Sequence, residues 1–149
     1  MKLEQEIKQH KFSNPYQKLI VNLLFTGGWM GQKIMRFLKP YGVTIRQYNI
    51  LRILRNQNPV PASVNLLIER MIDKNSNVSR IVDKLERKNF VIRKVSNADR
   101  RAVDIKITEK GLDLLRRIDN EEPANEKNIK TLSEKETKTI NKLLDKLRG

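Results

Sequence analysis

The apolar pattern of residues 78–111 changes period twice, and few folds accommodate that. Val78, Ile81, Val82 and Leu85 fall at i, i+3, i+4 and i+7, which is one face of a helix. Asn89 follows, a residue that tolerates the left-handed backbone that ends helices. Phe90 to Val95 is rich in strand formers. Ser96-Asn97-Ala98-Asp99 has the residues of a turn. Val103, Ile105 and Ile107 then alternate with Asp104 and Lys106, as a half-buried strand does. Thr108 has the chemistry of a helix N-cap, with Ile107 and Leu112 spaced as a hydrophobic staple. The expected order is helix, strand, basic tip with Arg100 and Arg101, strand, helix. A helix with one apolar face followed by a hairpin with arginines at its tip suits a nucleic-acid duplex.

The residues upstream extend the pattern. Ser63 is placed to cap a short helix whose apolar positions are Val64, Leu67, Ile68 and Met71. The polar run Asp73-Lys74-Asn75-Ser76 separates it from the helix at Val78. Two amphipathic helices joined by a tight polar turn fit a helix-turn-helix or a plain helical hairpin in a bundle. The hairpin that follows favours a winged helix-turn-helix. An earlier helix opens at Thr44, with Gln47 completing a capping box, Val43 and Tyr48 as the staple, and Ile50, Leu51, Ile53 and Leu54 on its buried side. Asn58-Pro59-Val60-Pro61 ends it and allows a short extended piece.

Longer apolar stripes flank this core. From about Pro15 to Lys39, Tyr16, Leu19, Ile20, Leu23 and Leu24, then Met30, Ile34, Phe37 and Leu38, recur at helical spacing. Gly27-Gly28 interrupts them, so the helix bends there or another backbone packs close. So long a stripe fits either a subunit interface or an ordinary core helix. After Thr108 come Leu112, Leu114, Leu115 and Ile118, and Pro123 is expected to kink or end that helix. Ser133 and Glu136 form a second capping box before Ile140, Leu143, Leu144 and Leu147.

The 149 residues suit one domain, and the formal net charge of +14 favours polyanions. Nucleic acid is the first candidate and an anionic membrane the second; a merely solvated basic surface is the bland alternative. There is no cysteine, which excludes disulfides, thiolate zinc sites and thiol redox sensing. No apolar run approaches the roughly 20 residues that span a bilayer. Met1 to Phe12 mixes both charge signs around no apolar signal core, so the cytoplasm is the expected location. The sequence offers no glycine-rich phosphate loop, no metal-ligand cluster and no nucleophile with a paired base. His10 stands alone near the start. We therefore expect no enzyme, no cofactor and no metal site.

The chain resembles the multiple antibiotic resistance regulator (MarR) family of bacterial transcription factors over about Leu19 to Leu115. The resemblance rests on Asn77-Val78-Ser79-Arg80-Ile81-Val82-Asp83-Lys84-Leu85-Glu86, on Asp99-Arg100-Arg101, and on Ile107-Thr108-Glu109-Lys110-Gly111. One residue departs from the family pattern: Asn89 stands where glycine is usual. The resemblance implies a mainly α (α+β) winged helix-turn-helix with a two-stranded β wing. About residues 15–40 and 109–149 would supply intertwining dimerisation helices around a DNA-binding core at about 44–108. It further implies a homodimeric repressor on a palindromic operator in double-stranded DNA, released by a small aromatic or anionic effector. A winged-helix module that binds protein without specific DNA binding is the alternative.

Roles for individual residues follow from the resemblance. At roughly 100° per residue, Ser76, Arg80, Asp83, Lys84 and Arg87 lie opposite the Val78–Leu85 stripe, flanked by Asn77 and Ser79. Arginine pairs bidentately with guanine and asparagine with adenine, so Arg80 and Asn77 are the expected base readers. Ser76 and Ser79 would sit nearer phosphates, although Ser76 equally suits the helix cap; Lys84 joins the recognition helix, where it, Arg87 and Lys88 equally suit plain solvated charges. At the wing, Arg101 would enter the minor groove while Asp99 orients one arginine; an exposed pair of Asp99 with Arg100 or Arg101 is the simpler reading. Lys94 and Lys106 are placed for added phosphate contacts. Phe25, Trp29, Phe37 and Tyr48 are candidates for lining an effector pocket, or are core aromatics.

Overall fold

The computed structural model describes residues 2–8, 11–95, 103–126 and 131–149. It divides into two compact units, Met1–Ile45 and Arg46–Gly149. The first holds α1 (Leu3–Glu6), α2 (Pro15–Leu38) and a 3-10 turn (Lys39–Tyr41). Pro15 occupies the first turn of α2, and Asn14 caps it by accepting from the Gln17 N–H at 2.9 Å. The helix runs unbroken through Gly27-Gly28, and a Cβ on either glycine would meet nothing within 4 Å. Among the described residues, no backbone packs close there. Gly42, at φ 66°, ends the 3-10 turn in the left-handed conformation. α1 was not anticipated; its one buried residue is Leu3, and Glu4 pairs with Lys18 on α2.

The second unit carries α3 (Ile45–Gln57, from its second residue), β1 (Ala62–Ser63), α4 (Val64–Arg70), α5 (Val78–Arg87), β2 (Val91–Val95), β3 (Val103–Ile107), α6 (Glu109–Glu126) and α7 (Glu134–Arg148). Its core contains Ile50, Leu51 and Leu54 from α3, Leu67 and Met71 from α4 and the residue after it, and Val82 and Leu85 from α5. Val91, Ile105, Leu115 and Ile118 are buried with them. The expected α4 stripe is thus half buried: Ile68 is exposed and Val64 intermediate. With only seven residues, α4 turns too little of its surface inward to bury all four positions.

The wing is not a two-stranded hairpin alone. β2 and β3 pair antiparallel with Val91 opposite Ile107 and Arg93 opposite Ile105, and β1 adds to the free edge of β3, Ala62 opposite Ile105. The sheet order is β1-β3-β2. The extended piece after the two prolines supplies the third strand, because β3 otherwise presents unpaired backbone groups at that edge. Nor does Pro123 end α6, which continues to Glu126. A proline in the last turn removes one backbone hydrogen bond, and little helix remains to be lost. No described helix is long and apolar enough to cross a membrane.

One junction joins α5, β2, β3 and α6. The end of α5 is a Schellman turn: Asn89 stands at φ 59°, the Asn89 N–H donates to the Glu86 carbonyl at 2.8 Å, and the Phe90 N–H to that of Leu85 at 3.0 Å. The start of α6 closes onto that turn. Thr108 Oγ1 donates to the Asn89 carbonyl at 2.7 Å and accepts from the Gly111 N–H at 3.1 Å, so one hydroxyl caps α6 and ties it to α5. The Thr108 N–H donates to the Phe90 carbonyl at 3.0 Å. Lys110 Nζ donates to the Lys88 carbonyl at 3.0 Å and lies 5.3 Å from the Phe90 ring centroid.

Gly111 makes this closure sterically feasible. A Cβ there would stand 2.4 Å from the Phe90 carbonyl oxygen and 2.7 Å from Ile107 Cγ1. The Ile107 side chain can rotate; the carbonyl is held by its bond to Thr108. We predict that Gly111→Ala destabilises the protein by about 1–3 kcal/mol through overpacking. In urea unfolding the midpoint should fall while the slope stays unchanged. An unaltered midpoint would refute the account of the junction.

Candidate nucleic-acid interface

Polar contacts fix the α4–turn–α5 segment, both to α3 and within the turn, and Arg70 Nη1 on α4 donates to Gln57 Oε1 on α3 at 2.8 Å. Asn49 Oδ1 accepts from the Ile72 N–H at 3.0 Å. Asp73 accepts from the Asn75 N–H at 3.0 Å, an Asx turn. The Arg46 guanidinium reaches Asp73 at 2.6–2.8 Å. Arg46, followed by the Asn75 N–H, holds the Asp73 carboxyl below its ordinary range. This contribution is present above the usual carboxylate pKa and is lost as pH falls through the lowered one. The turn is thereby fixed just before the helix whose face matters most.

Asn77 is the cap of α5. Its Oδ1 accepts from the Arg80 N–H at 3.1 Å. The capping role that suited Ser76 therefore belongs to its neighbour, and the acceptor half of the Asn77 amide is engaged within the helix. Ser76 is half-buried just before it. Ser79, Arg80 and Lys84 are all exposed on the face away from buried Val78, Val82 and Leu85. Among the described residues, Arg80, Lys84 and Arg87 have no acidic partner. On the sheet, Lys94 and Lys106 are exposed, Lys94 facing Asp104 across the ladder. Asp99, Arg100 and Arg101 lie outside the described residues, as do His10 and the turn 96–99; the strands that lead into and out of the tip are described.

Sequence reasoning missed Arg93. It lies on β2 with its guanidinium turned to α5: Nη2 donates to the Ser79 carbonyl at 3.1 Å and to Asp83 Oδ1, and Nε stands 3.6 Å from Glu86 Oε2. Two carboxylates of α5 are compensated within the protein, which leaves the cations of that helix as its outward charge. The signal was present. Arg93 shares the strand face of Val91 and Val95, and a cation in that register needs acidic partners nearby. Asp83 and Glu86 stand three residues apart on the preceding helix, so they share a face.

The four aromatics are distributed over both units. On α2, Phe25 and Trp29 are exposed, with Lys33 Nζ 5.3 Å from the Trp29 ring, and Phe37 packs against Tyr41 with centroids 5.8 Å apart. Tyr48, on α3, lies under Arg52.

A helix-turn-helix whose second helix carries cations without acidic partners among the described residues, followed by a β hairpin, defines a winged helix-turn-helix protein. The sequence model of the MarR family matches residues 43–103. The chain is 30% identical over 100 residues to the HTH-type transcriptional regulator PecS of Dickeya dadantii, covering 66% of this chain and 60% of PecS. The chain thus spans less than two thirds of that relative. Among solved structures, the S. aureus MepR–DNA complex superimposes with a TM-score of 0.77 at 23% identity, covering 92% of this chain and 97% of MepR. The organohalide-sensing RdhR regulator, in its 2,4-dichlorophenol-bound form, gives 0.82 at 21% identity, covering 94% and 85%. Over its winged helix-turn-helix the chain is similar to MarR-family regulators.

The cap assignment is testable apart from any ligand. Asn77→Ala should cost about 1 kcal/mol of stability, whereas Asn77→Ser, whose hydroxyl also accepts from a backbone N–H, should lose little. Thermal melts of both variants decide it: equal losses would mean that the side chain does something other than cap.

Proposed function

We propose that this protein is a sequence-specific DNA-binding transcriptional regulator of the bacterial cytoplasm. It acts as a homodimeric repressor on a palindromic operator, and binding rather than catalysis is its activity. The observation that carries this reading is the exposed face of α5. Arg80, Lys84 and Arg87 point outward, without acidic partners among the described residues, on a helix fixed at both ends, while its own carboxylates are neutralised from behind. Such a helix fits a major groove. The likeness to a relative crystallised on DNA supports the same reading. Arg80 is the principal base reader; Ser79 and Lys84 contact the phosphates that set its register. Arg101, with Asp99 and Arg100 at the wing tip, reaches the minor groove. Release by a small aromatic or anionic effector is supported by the relative solved with a chlorinated phenol.

Dimerisation is supported by the surfaces that one chain leaves uncovered. Tyr16, Ile20 and Leu24 of α2 are 78%, 60% and 74% exposed, and Leu143 and Leu147 of α7 are 59% and 56% exposed. Contiguous apolar stripes of this kind mark interaction surfaces. Sedimentation at micromolar protein should give twice the chain mass. A clean monomer would remove the two-half-site geometry, in which recognition helices lie roughly 34–36 Å apart on one duplex face.

The operator itself separates helix from wing. Arg80→Ala should lower affinity and relax base preference at one position in each half-site, by roughly 1–3 kcal/mol. Arg101→Ala should weaken binding while leaving major-groove preferences in place, because the minor groove distinguishes little beyond A·T from G·C. Binding should fall steeply with salt as phosphate contacts displace counterions. These variants are titrated against single-base changes in a duplex selected from a random pool, at two salt concentrations. If Arg80→Ala discriminates as the parent does, α5 is not the reader.

A further inference from the structure

Arg93 does not point to solvent, yet it touches the recognition helix at three places spread over about two turns: the Ser79 carbonyl, Asp83 and Glu86. Ser79 immediately precedes Arg80, so the first contact grips the backbone beside the expected base reader. Asp83 and Glu86 carry the grip along the next turn of α5. A planar guanidinium has five donors in a fixed fork and can satisfy these acceptors together; an ammonium is a point charge without that geometry. Arg93 is itself set by the ladder, opposite Ile105 in the middle of the β2–β3 register. The rotation of α5 about its own axis is therefore referred to the wing sheet through one side chain.

We propose that Arg93 is a positioning residue for base readout, fixing the rotation of α5 so that Arg80 meets one base edge and no other. This rests on the reading of α5 as a DNA reader. Bidentate recognition tolerates little misplacement, because both donors must reach their acceptors together. A loosened α5 would still present its cations to phosphates, which accept a broad range of geometries. Loss of Arg93 should therefore blunt discrimination more than it lowers non-specific affinity. Hydrophobic packing through Val78, Val82 and Leu85 holds α5 in the fold regardless, since all three are buried.

The test measures Kd for a selected duplex, for its single-base variants and for an unrelated duplex, using the full-length protein. Arg93→Met, Arg93→Lys, Asp83→Asn with Glu86→Gln, and the parent are compared, with melts to verify folding. Arg93→Met should lose on the order of tenfold in affinity for the selected duplex, comparable to one mismatched base pair. Its affinity for the unrelated duplex should fall less, by the loss of one cation alone, so the preference ratio collapses. Arg93→Lys should keep the charge and still lose most of the ratio. The Asp83→Asn, Glu86→Gln pair raises net charge and should strengthen non-specific binding while also lowering the ratio. If Arg93→Met does not fold, the lysine and double variants carry the same test. A uniform loss on all duplexes, or ratios unchanged in the lysine and double variants, overturns the proposal. If the parent itself selects no duplex sequence, the reading of this protein as a specific DNA binder fails instead.

Discussion

The contact between Gly111 and the Phe90 carbonyl is the constraint on which the winged unit depends. At this point α5 ends, β2 begins, β3 ends and α6 begins, and a side chain larger than hydrogen on residue 111 would force two of them apart. Thr108 and Lys110 then occupy backbone carbonyls at the end of α5 that no helical partner reaches. The Thr-Glu-Lys-Gly run thus has a physical account in three of its residues: a hydroxyl that caps one helix while bonding another, an ammonium on a helix C-terminus, and the absence of a Cβ.

Charge in this protein is divided by pairing rather than by amount. Arg46, Arg55, Arg93 and Arg116 are each tied to carboxylates of the same unit, whereas Arg80, Lys84 and Arg87 are not, among the described residues. The first group shapes the protein and the second is available to a polyanion. Exposed pairs of this kind add little to stability. Their effect is geometric: Arg46 secures the turn before α5 and Arg93 secures its middle.

The two flanking helices present a different problem. α7 has fifteen residues and buries none of them in one chain. Helices of roughly that length are marginal alone in water. Its start is reinforced by a reciprocal box: Ser133 Oγ accepts from the Glu136 N–H at 3.3 Å, and Glu136 accepts from the Ser133 N–H at 2.8 Å and its hydroxyl at 2.7 Å. The hydroxyl first, then the N–H, holds the Glu136 carboxyl below its ordinary range. A cap sets where such a helix begins, but only burial of Ile140, Leu143 and Leu147 can make it persist, which is why a second chain is part of the proposed function.

Local chemistry made much of this legible from sequence. Ser63, Asn89, Thr108 and Ser133 act at helix ends, and alternation places Ile105 and Ile107 inward, because caps and periodicity depend on residues only a few positions apart. The third strand, the continuation of α6 past Pro123 and the capping role of Asn77 depended on which groups found partners once the chain had folded. Arg93 shows the difference most clearly. Its strand, its register and the spacing of Asp83 and Glu86 can all be read in sequence. That one guanidinium meets both carboxylates and the Ser79 carbonyl is settled only by the packing of β2 against α5, because hydrogen bonds across ten and fourteen residues require a distance that sequence separation does not specify.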